Sequence, residues 1–132
     1  MSMSLPWWVL VVDDDAELNE LIVEMLRDEG FDAHGSTETR AATALLDGAS
    51  PPGFVIADVT MPGGGGIDLV GRAQRKGIGG VLITAADPRR LKLGPAARVI
   101  RKPFEVDELI SVVARYRPSS CEDTAPPLAI SA

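Results

Sequence analysis

The chain has 132 residues, a formal net charge of −6 and 45% hydrophobic residues, which fits one globular domain that buries its own core. The acidic balance argues against a surface for nucleic acid or anionic membranes, since both need a basic patch, and the apolar run Leu5–Val12 is too short to cross a bilayer. Because the start of the chain lacks the charges of a signal peptide and a single cysteine cannot form an internal disulfide, we expect a small acidic domain in the cytoplasm that binds neither nucleic acid nor membrane.

The first half of the chain alternates between predicted strands and helices. Residues 8–12 form a continuous apolar run, as a strand buried on both faces would. A helix follows whose apolar stripe has helical spacing, namely Leu18, Leu21, Ile22, Met25 and Leu26. Gly30 is placed to end this helix, and residues 31–35 make a short second strand. Ser36 or Thr37 can cap a second helix, whose inner face holds Ala41, Ala42, Leu45 and Leu46.

The second half continues the alternation. Residues 54–57 form a third strand before Asp58, and a glycine run precedes a helix over about residues 67–75. Residues 81–84 and 98–101 are the fourth and fifth strands. Residues 105–116 form the last helix, with the apolar stripe Val106, Leu109, Ile110, Val113 and Ala114. Five strands separated by helices predict an α/β fold, in which right-handed crossovers cover both faces of a parallel sheet.

Two segments depart from this alternation. Residues 85–97 contain Pro88, Gly94 and Pro95, so they leave room for only about two helical turns. Residues 118–132 contain few large apolar residues, so we expect a disordered C-terminal tail after a domain over residues 1–117.

Polar side chains follow the carboxyl ends of four predicted strands. They are Asp13, Asp14 and Asp15 after the first strand, Asp58 after the third, Thr84 at the end of the fourth and Lys102 after the fifth. In an open parallel sheet these ends meet at one edge, where ligands bind. The first three acids could simply cap the first helix. Taken alone, Asp58 could be a loop acid, Thr84 an ordinary strand end and Lys102 a solvated surface lysine. Agreement between four separate strand ends favours a single site instead.

The residue types at this edge suit metal-assisted phosphoryl transfer. Clustered carboxylates raise one another's pKa unless a cation is present, and oxygen ligands with room for water suit Mg²⁺. Asp58 can then act as a nucleophile, because a carboxylate can form an acyl phosphate. The Lys102 ammonium, the Thr84 hydroxyl and the Ala85 backbone N–H would neutralise or hydrogen-bond the phosphoryl oxygens.

Together these residues resemble the receiver domain of two-component response regulators. The resemblance covers about residues 7–117 and rests on four segments in order, Val11-Val12-Asp13-Asp14-Asp15, Asp58-Val59-Thr60-Met61-Pro62, Leu82-Ile83-Thr84-Ala85 and Lys102-Pro103-Phe104. It implies a flavodoxin-like, doubly wound sheet of five parallel strands in the order 2-1-3-4-5. It also implies phosphoryl transfer to Asp58 from a histidine kinase or a histidine phosphotransfer protein.

The resemblance also assigns roles to the site residues. Asp13 and Asp14 are the acidic pair that holds Mg²⁺, with Asp14 as the expected direct ligand, and Asp58 and the backbone carbonyl of Thr60 supply further oxygens. Thr84 and Lys102 match the hydroxyl and lysine positions of the family. The Lys102–Pro103 peptide bond is expected to be cis.

Four features depart from the family pattern. Val99 stands where the family usually has Tyr or Phe, whose ring moves on activation. Fewer residues than usual separate Thr84 from Lys102, so the fourth helix of the family, within residues 85–97, is expected to be shortened or irregular. The customary Met-Pro-x-Met-Asp-Gly reads Met61-Pro62-Gly63-Gly64-Gly65-Gly66, which removes an acid beside Asp58. No effector domain follows, so output is expected to pass through an unknown protein partner.

The leading hypothesis is a stand-alone receiver that is phosphorylated on Asp58 and signals, or passes the phosphoryl group on, through protein contacts. The alternative, motivated by Val99, the glycine run and the short segment after Thr84, is a receiver-like binding module that works without phosphorylation. A third interpretation is a phosphotransferase or phosphatase, but the sequence offers no separate general base or substrate pocket. We therefore expect a phosphoacceptor signalling domain and not an enzyme, with self-catalysed phosphoryl transfer and hydrolysis only.

Overall fold

Five parallel strands form the centre of the molecule. The computed structural model describes residues 7–61, 65–85, 87, 89 and 98–118. Within these residues the strands are β1 (Val9–Val12), β2 (Ala33–Ser36), β3 (Phe54–Asp58), β4 (Gly79–Thr84) and β5 (Val99–Arg101). They pair in parallel in the order β2-β1-β3-β4-β5. The predicted flavodoxin-like, doubly wound sheet is therefore confirmed.

The helices of the described residues cover both faces of this sheet. They are α1 (Ala16–Asp28), α2 (Thr39–Leu46), α3 (Gly65–Arg75) and α4 (Val106–Tyr116), the last helix described. Buried residues of α1 and α4 pack with Val9 and Val11 in one apolar cluster, and those of α2 and α3 pack with Leu10 and Val12 in another. Since successive strand side chains point to opposite faces, the unbroken apolar run of β1 feeds both clusters.

Helix α1 begins and ends as the local sequence predicts. Asp15 caps its N-terminus, because its side chain accepts hydrogen bonds from the backbone N–H groups of Glu17 and Leu18. Gly30 follows the helix with φ of 92°, a left-handed conformation that glycine adopts without a β-carbon clash. Asp15 therefore caps α1, which confirms for this residue the interpretation that the acids after the first strand cap the first helix.

The predicted cap of α2 is wrong. Ser36 ends β2, and its hydroxyl donates a hydrogen bond to the Glu38 carbonyl and accepts one from the Glu38 N–H. The helix begins only after Glu38, with no side-chain cap bond from Ser36, Thr37 or Glu38 itself. The Ser36 hydroxyl is therefore used in the turn between strand and helix, which leaves it unable to cap the helix.

The buried faces of three helices differ from the predicted ones. Of the residues assigned to them, Leu21, Ala41, Leu45, Val106 and Ala114 are exposed, whereas Asn19, Val23 and Val112 are buried without having been assigned. The apolar spacing marks the right side of each helix, but the width of the buried stripe depends on how the helix lies on the sheet. Element bounds differ from the predicted ones by only about two residues.

Two expectations fall largely outside the described residues. The shortened fourth helix within residues 85–97 and the disordered tail over residues 118–132 both stay predictions, and so does the domain boundary at residue 117. No helix within the described part of the chain is long and apolar enough to span a membrane.

Candidate functional site

Three ionisable side chains meet at the carboxyl edge of the sheet. Asp13 follows β1, Asp58 ends β3 and Lys102 follows β5. Both carboxylate residues are buried, with 3% and 4% of their surfaces exposed. The Lys102 ammonium donates a hydrogen bond to Asp58 Oδ2 at 3.0 Å, and the Lys102–Pro103 bond is cis, as expected. The structure thus joins groups that the sequence places on separate strands.

Asp58 is held at both carboxylate oxygens. Its Oδ1 accepts hydrogen bonds from the Thr60 backbone N–H at 2.8 Å and from the Thr60 hydroxyl at 2.7 Å, while Oδ2 accepts from Lys102. Burial acts to raise the pKa of Asp58, but the two Thr60 donors and the Lys102 ammonium together hold that pKa below its ordinary value. Asp58 is therefore ionised at neutral pH, the form that a carboxylate nucleophile requires.

Of the two buried carboxylates, Asp13 is the one whose ionised form is disfavoured by its surroundings. Burial, the largest influence, and the neighbouring Asp58 carboxylate together raise the pKa of Asp13 from 3.8 to about 6, against the lowering effects of the Asp15 N–H and Lys102. The Asp15 N–H donates to Asp13 Oδ1 at 2.9 Å. Two buried carboxylates thus face a single ammonium, which favours an additional cation at this edge.

The donor set fits Mg²⁺. This ion keeps several of its waters and is usually bound through one or two carboxylates, and Asp13 and Asp58 supply that number. Asp14 is exposed, and no three His, Cys, Asp or Glu side chains in the described ranges are arranged as a metal cage. The predicted contributions of Asp14 and of the Thr60 carbonyl to metal binding stay predictions.

Thr84 lies beside this pair on the neighbouring strand. It is the last residue of β4 and fully buried. Its carbonyl accepts a hydrogen bond from the Lys102 N–H at 2.7 Å. Because Asp58 pairs in register with Ile83, Asp58 and Thr84 are one register position apart, and the exposed Ala85 follows Thr84 directly.

Two contributors to the site were missed from the sequence. The resemblance gives Thr60 a metal-binding role through its backbone carbonyl, and the structure adds its hydroxyl, which donates to Asp58; a hydroxyl two residues after an acid is a recurrent local hydrogen-bond partner. Asn19 belongs to none of the four segments that carry the family resemblance, yet it is buried and its side-chain amide contacts the carbonyl oxygen of Asp13. Its spacing was the available signal, because it precedes Ile22 and Val23 by three and four residues and so shares their buried face.

The glycine run has a steric role in the part that is described. A β carbon on Gly66 would overlap the backbone oxygen of Asp58, and one on Gly65 would overlap the side chain of Thr39 in α2. The first turn of α3 therefore packs directly against the backbone of Asp58. At Gly65, where the receiver pattern has an acid, the space for a side chain is already filled by Thr39.

Comparisons with known proteins agree with this fold. The response regulator receiver domain model matches residues 9–114. The DNA-binding response regulator MtrA of Mycobacterium tuberculosis is 42% identical over 117 residues, which cover 83% of this chain and 50% of that protein. The chain thus spans about half the length of these curated relatives.

Solved structures show the same likeness. A response regulator receiver protein from Burkholderia phymatum is 33% identical with a TM-score of 0.72, and the match covers 84% of this chain and 94% of that one. The response regulator TrrA from Thermotoga maritima, solved in complex with Mg²⁺ and BeF, is 30% identical with a TM-score of 0.72, and the match covers 85% of this chain and all of the other.

Proposed function

Because this chain belongs to the response regulator receiver domain family, we propose that it accepts a phosphoryl group on Asp58, with Mg²⁺, from a histidine kinase or a histidine phosphotransfer protein. The observation that carries the proposal is the state of Asp58. It is a buried, ionised carboxylate that contacts Lys102 and lies beside a second buried carboxylate, Asp13. A purely structural ion pair would not need the second acid.

In the proposed step, a carboxylate oxygen of Asp58 attacks the phosphorus of a phosphohistidine. An O–P bond forms as the P–N bond breaks, and the released imidazole takes up a proton. Lys102 already touches Asp58 Oδ2, so its ammonium can move to a phosphoryl oxygen over a short distance. The Thr84 hydroxyl and the Ala85 N–H would donate to the other phosphoryl oxygens.

Asp13 and Asp58 would hold Mg²⁺, with Asp14 and the Thr60 carbonyl as further oxygen donors. When bound, the ion would neutralise negative charge on the phosphoryl oxygens. The excess of buried carboxylate over ammonium supports this assignment. The relative TrrA, solved with Mg²⁺ and BeF, supports it by similarity.

The proposed output is contact with a downstream protein, or relay of the phosphoryl group, and neither needs a further catalytic activity. The relative MtrA is a DNA-binding regulator, but only about half of it matches this acidic chain. We propose no contact of the receiver unit with DNA or membrane, because the chain is acidic, with a net charge of −6. The cytoplasm is the proposed location, since ATP-dependent histidine kinases draw on cytoplasmic ATP.

One observation favours the second candidate, a receiver-like module that works without phosphorylation. Val99 is only partly buried against the cluster that contains Leu82, and it has no ring that could move with Thr84. A partner that binds wild type and Asp58→Ala equally well, with or without beryllofluoride, would support this candidate.

Incubation with acetyl phosphate tests the leading proposal. We expect wild type to gain the mass of one phosphoryl group with Mg²⁺, and to gain nothing when EDTA removes the ion. Asp58→Asn should not be labelled, whereas Asp28→Asn, which changes an exposed acid at the end of α1, should be labelled like wild type. Labelling of Asp58→Asn, or of wild type without divalent ions, would contradict the proposal.

A further inference from the structure

Asn19 is a buried polar residue on an otherwise apolar helix face. It is 5% exposed, and its Nδ2 lies 3.2 Å from the carbonyl oxygen of Val11, 3.2 Å from that of Asp13 and 2.9 Å from that of Ser36. Burying an amide is unfavourable unless its hydrogen bonds are made. The carbonyl groups of Val11, Asp13 and Ser36 accept hydrogen bonds from this amide, which explains how an amide can be buried in the core.

The contacts of Asn19 lie where the pairing of β1 with β2 ends. The register stops at Val12 with Ser36, which is the last residue of β2. The Asp13 N–H still donates to the Ser36 carbonyl at 3.2 Å, but β2 offers no later residue to pair with the Asp13 carbonyl. Because buried carbonyl groups are nearly always hydrogen-bonded, the Asn19 amide takes the place of the missing strand residue.

Three hydrogen bonds therefore fix the position of Asp13. Its N–H donates to Ser36, its carbonyl accepts from Asn19, and its Oδ1 accepts from the Asp15 N–H. Asp13 and Asp58 are both buried, so their carboxylates repel each other in a poorly solvated site, and this repulsion acts to move the Asp13 side chain away from the site. The hydrogen bonds of the Asp13 N–H and of the Asp13 carbonyl fix the backbone on both sides of its α carbon, and they therefore oppose that movement.

Gly35 in β2 supplies a second, independent observation. A β carbon at Gly35 would overlap the side-chain oxygen of Asn19. Gly35 has no positive φ that would itself call for glycine, so what this glycine supplies is space for the Asn19 amide. Gly35 of β2 and Asn19 of α1 are thus complementary in shape, because the small residue leaves room for the large one.

We propose that Asn19 is a positioning residue for Mg²⁺ binding, which acts by fixing the backbone that carries the Asp13 carboxylate. The inference rests on the proposed function, because it concerns the same metal site. Asn19 does not itself contact the ion. Its effect is therefore expected in the affinity for Mg²⁺ and not in the phosphoryl-transfer rate at saturating Mg²⁺.

Calorimetric titration of Mg²⁺ into Asn19→Leu tests the inference, since leucine has a similar size and no donor. We expect Kd for Mg²⁺ to rise about tenfold or more, while labelling by acetyl phosphate at saturating Mg²⁺ returns to the wild-type rate. The matched control is Val23→Ala, which changes a buried residue on the same face of α1. It should lower Tm and leave Kd for Mg²⁺ unchanged.

Gly35→Ala keeps the Asn19 side chain but displaces its amide, so it decides the question if Asn19→Leu does not fold. It should weaken Mg²⁺ binding in the same direction. If Asn19→Leu or Gly35→Ala lowers Tm but binds Mg²⁺ as tightly as wild type, the positioning role is refuted and the proposed function stands. If wild type itself neither binds Mg²⁺ nor accepts a phosphoryl group, the proposed function fails, and the positioning role fails with it.

Discussion

The Nζ atom of Lys102 lies 3.0 Å from Oδ2 of Asp58 and ties the loop after β5 to the end of β3. Asp58 is 4% exposed, whereas the lysine side chain is 26% exposed. The two ends of this ion pair therefore differ in solvation. The lysine can exchange its contact for water or a phosphoryl group, but the carboxylate depends on it for charge balance.

Replacement of Lys102 by methionine should destabilise the protein. The change leaves a buried carboxylate without its cation, so we expect the free energy of unfolding at neutral pH to fall by about 1–3 kcal/mol. The pKa of Asp58 should rise, because Lys102 is one of the groups that lower it. Urea unfolding measures the first effect. Lys76→Met is the control, since Lys76 pairs with Asp47 on the surface and should change stability little; equal losses in both variants would contradict this account.

Replacement of Asp13 by asparagine should stabilise the metal-free protein. The pKa of Asp13 is raised from 3.8 to about 6, so the folded state binds this proton more tightly than the unfolded state. Its ionisation therefore costs stability, with no cost below pH 3.8, a growing cost as pH rises, and the full cost above about pH 6. In EDTA at pH 7, Asp13→Asn should be more stable than wild type by about 1–3 kcal/mol.

Unfolding at several pH values tests the origin of this effect. The difference between Asp13→Asn and wild type should disappear at pH values below 3.8. Saturating Mg²⁺ should favour wild type, because an ion that binds only the folded state stabilises it. A difference in EDTA that does not change with pH would show that ionisation of Asp13 is not its cause.

Replacement of Thr60 by valine should raise the pKa of Asp58. The variant loses the hydroxyl that donates to Asp58 Oδ1 at 2.7 Å but keeps the backbone donor. Because the pKa of Asp58 is lowered in the folded state, its ionised form contributes stability at neutral pH, and this contribution is lost as pH falls through the folded-state pKa. Thr60→Val should therefore lose about 1 kcal/mol at pH 7 and less in acid. Carbon NMR titration reads the pKa directly, and Thr60→Ser should behave like wild type.

Gly65 and Gly71 should respond in opposite ways to alanine, although both lie in α3. A β carbon on Gly65 would overlap Thr39, whereas one on Gly71 would meet only Arg75 Nη1 at 3.6 Å, an ordinary contact. Gly71→Ala should gain about 0.5–1 kcal/mol, the usual advantage of alanine in a helix. Gly65→Ala should forfeit that gain or lose about 1–3 kcal/mol by overpacking. Thermal unfolding compares the two, and Thr39→Ala should relieve the effect at Gly65.

The sequence by itself determined the architecture and most of the site. The alternation of apolar runs with helical stripes predicts parallel strands, and parallel strands bring their carboxyl ends to one edge. Asp13, Asp58 and Lys102 follow three of those strands, so their convergence could be inferred before any coordinates. The cap at Asp15 and the helix end at Gly30 are also local, since they depend on hydrogen bonds and dihedral angles within a few residues.

Only the tertiary structure decided which neighbouring elements touch. Leu21 and Leu45 fall on the predicted stripes but are exposed, because helix position on the sheet sets the width of the buried face. The contact of Asn19 with Asp13, and the closeness of Gly65 to Thr39, join residues on different elements. Spacing along the chain assigns each residue to a face of its own element, whereas distances across elements are set by how all the side chains pack together.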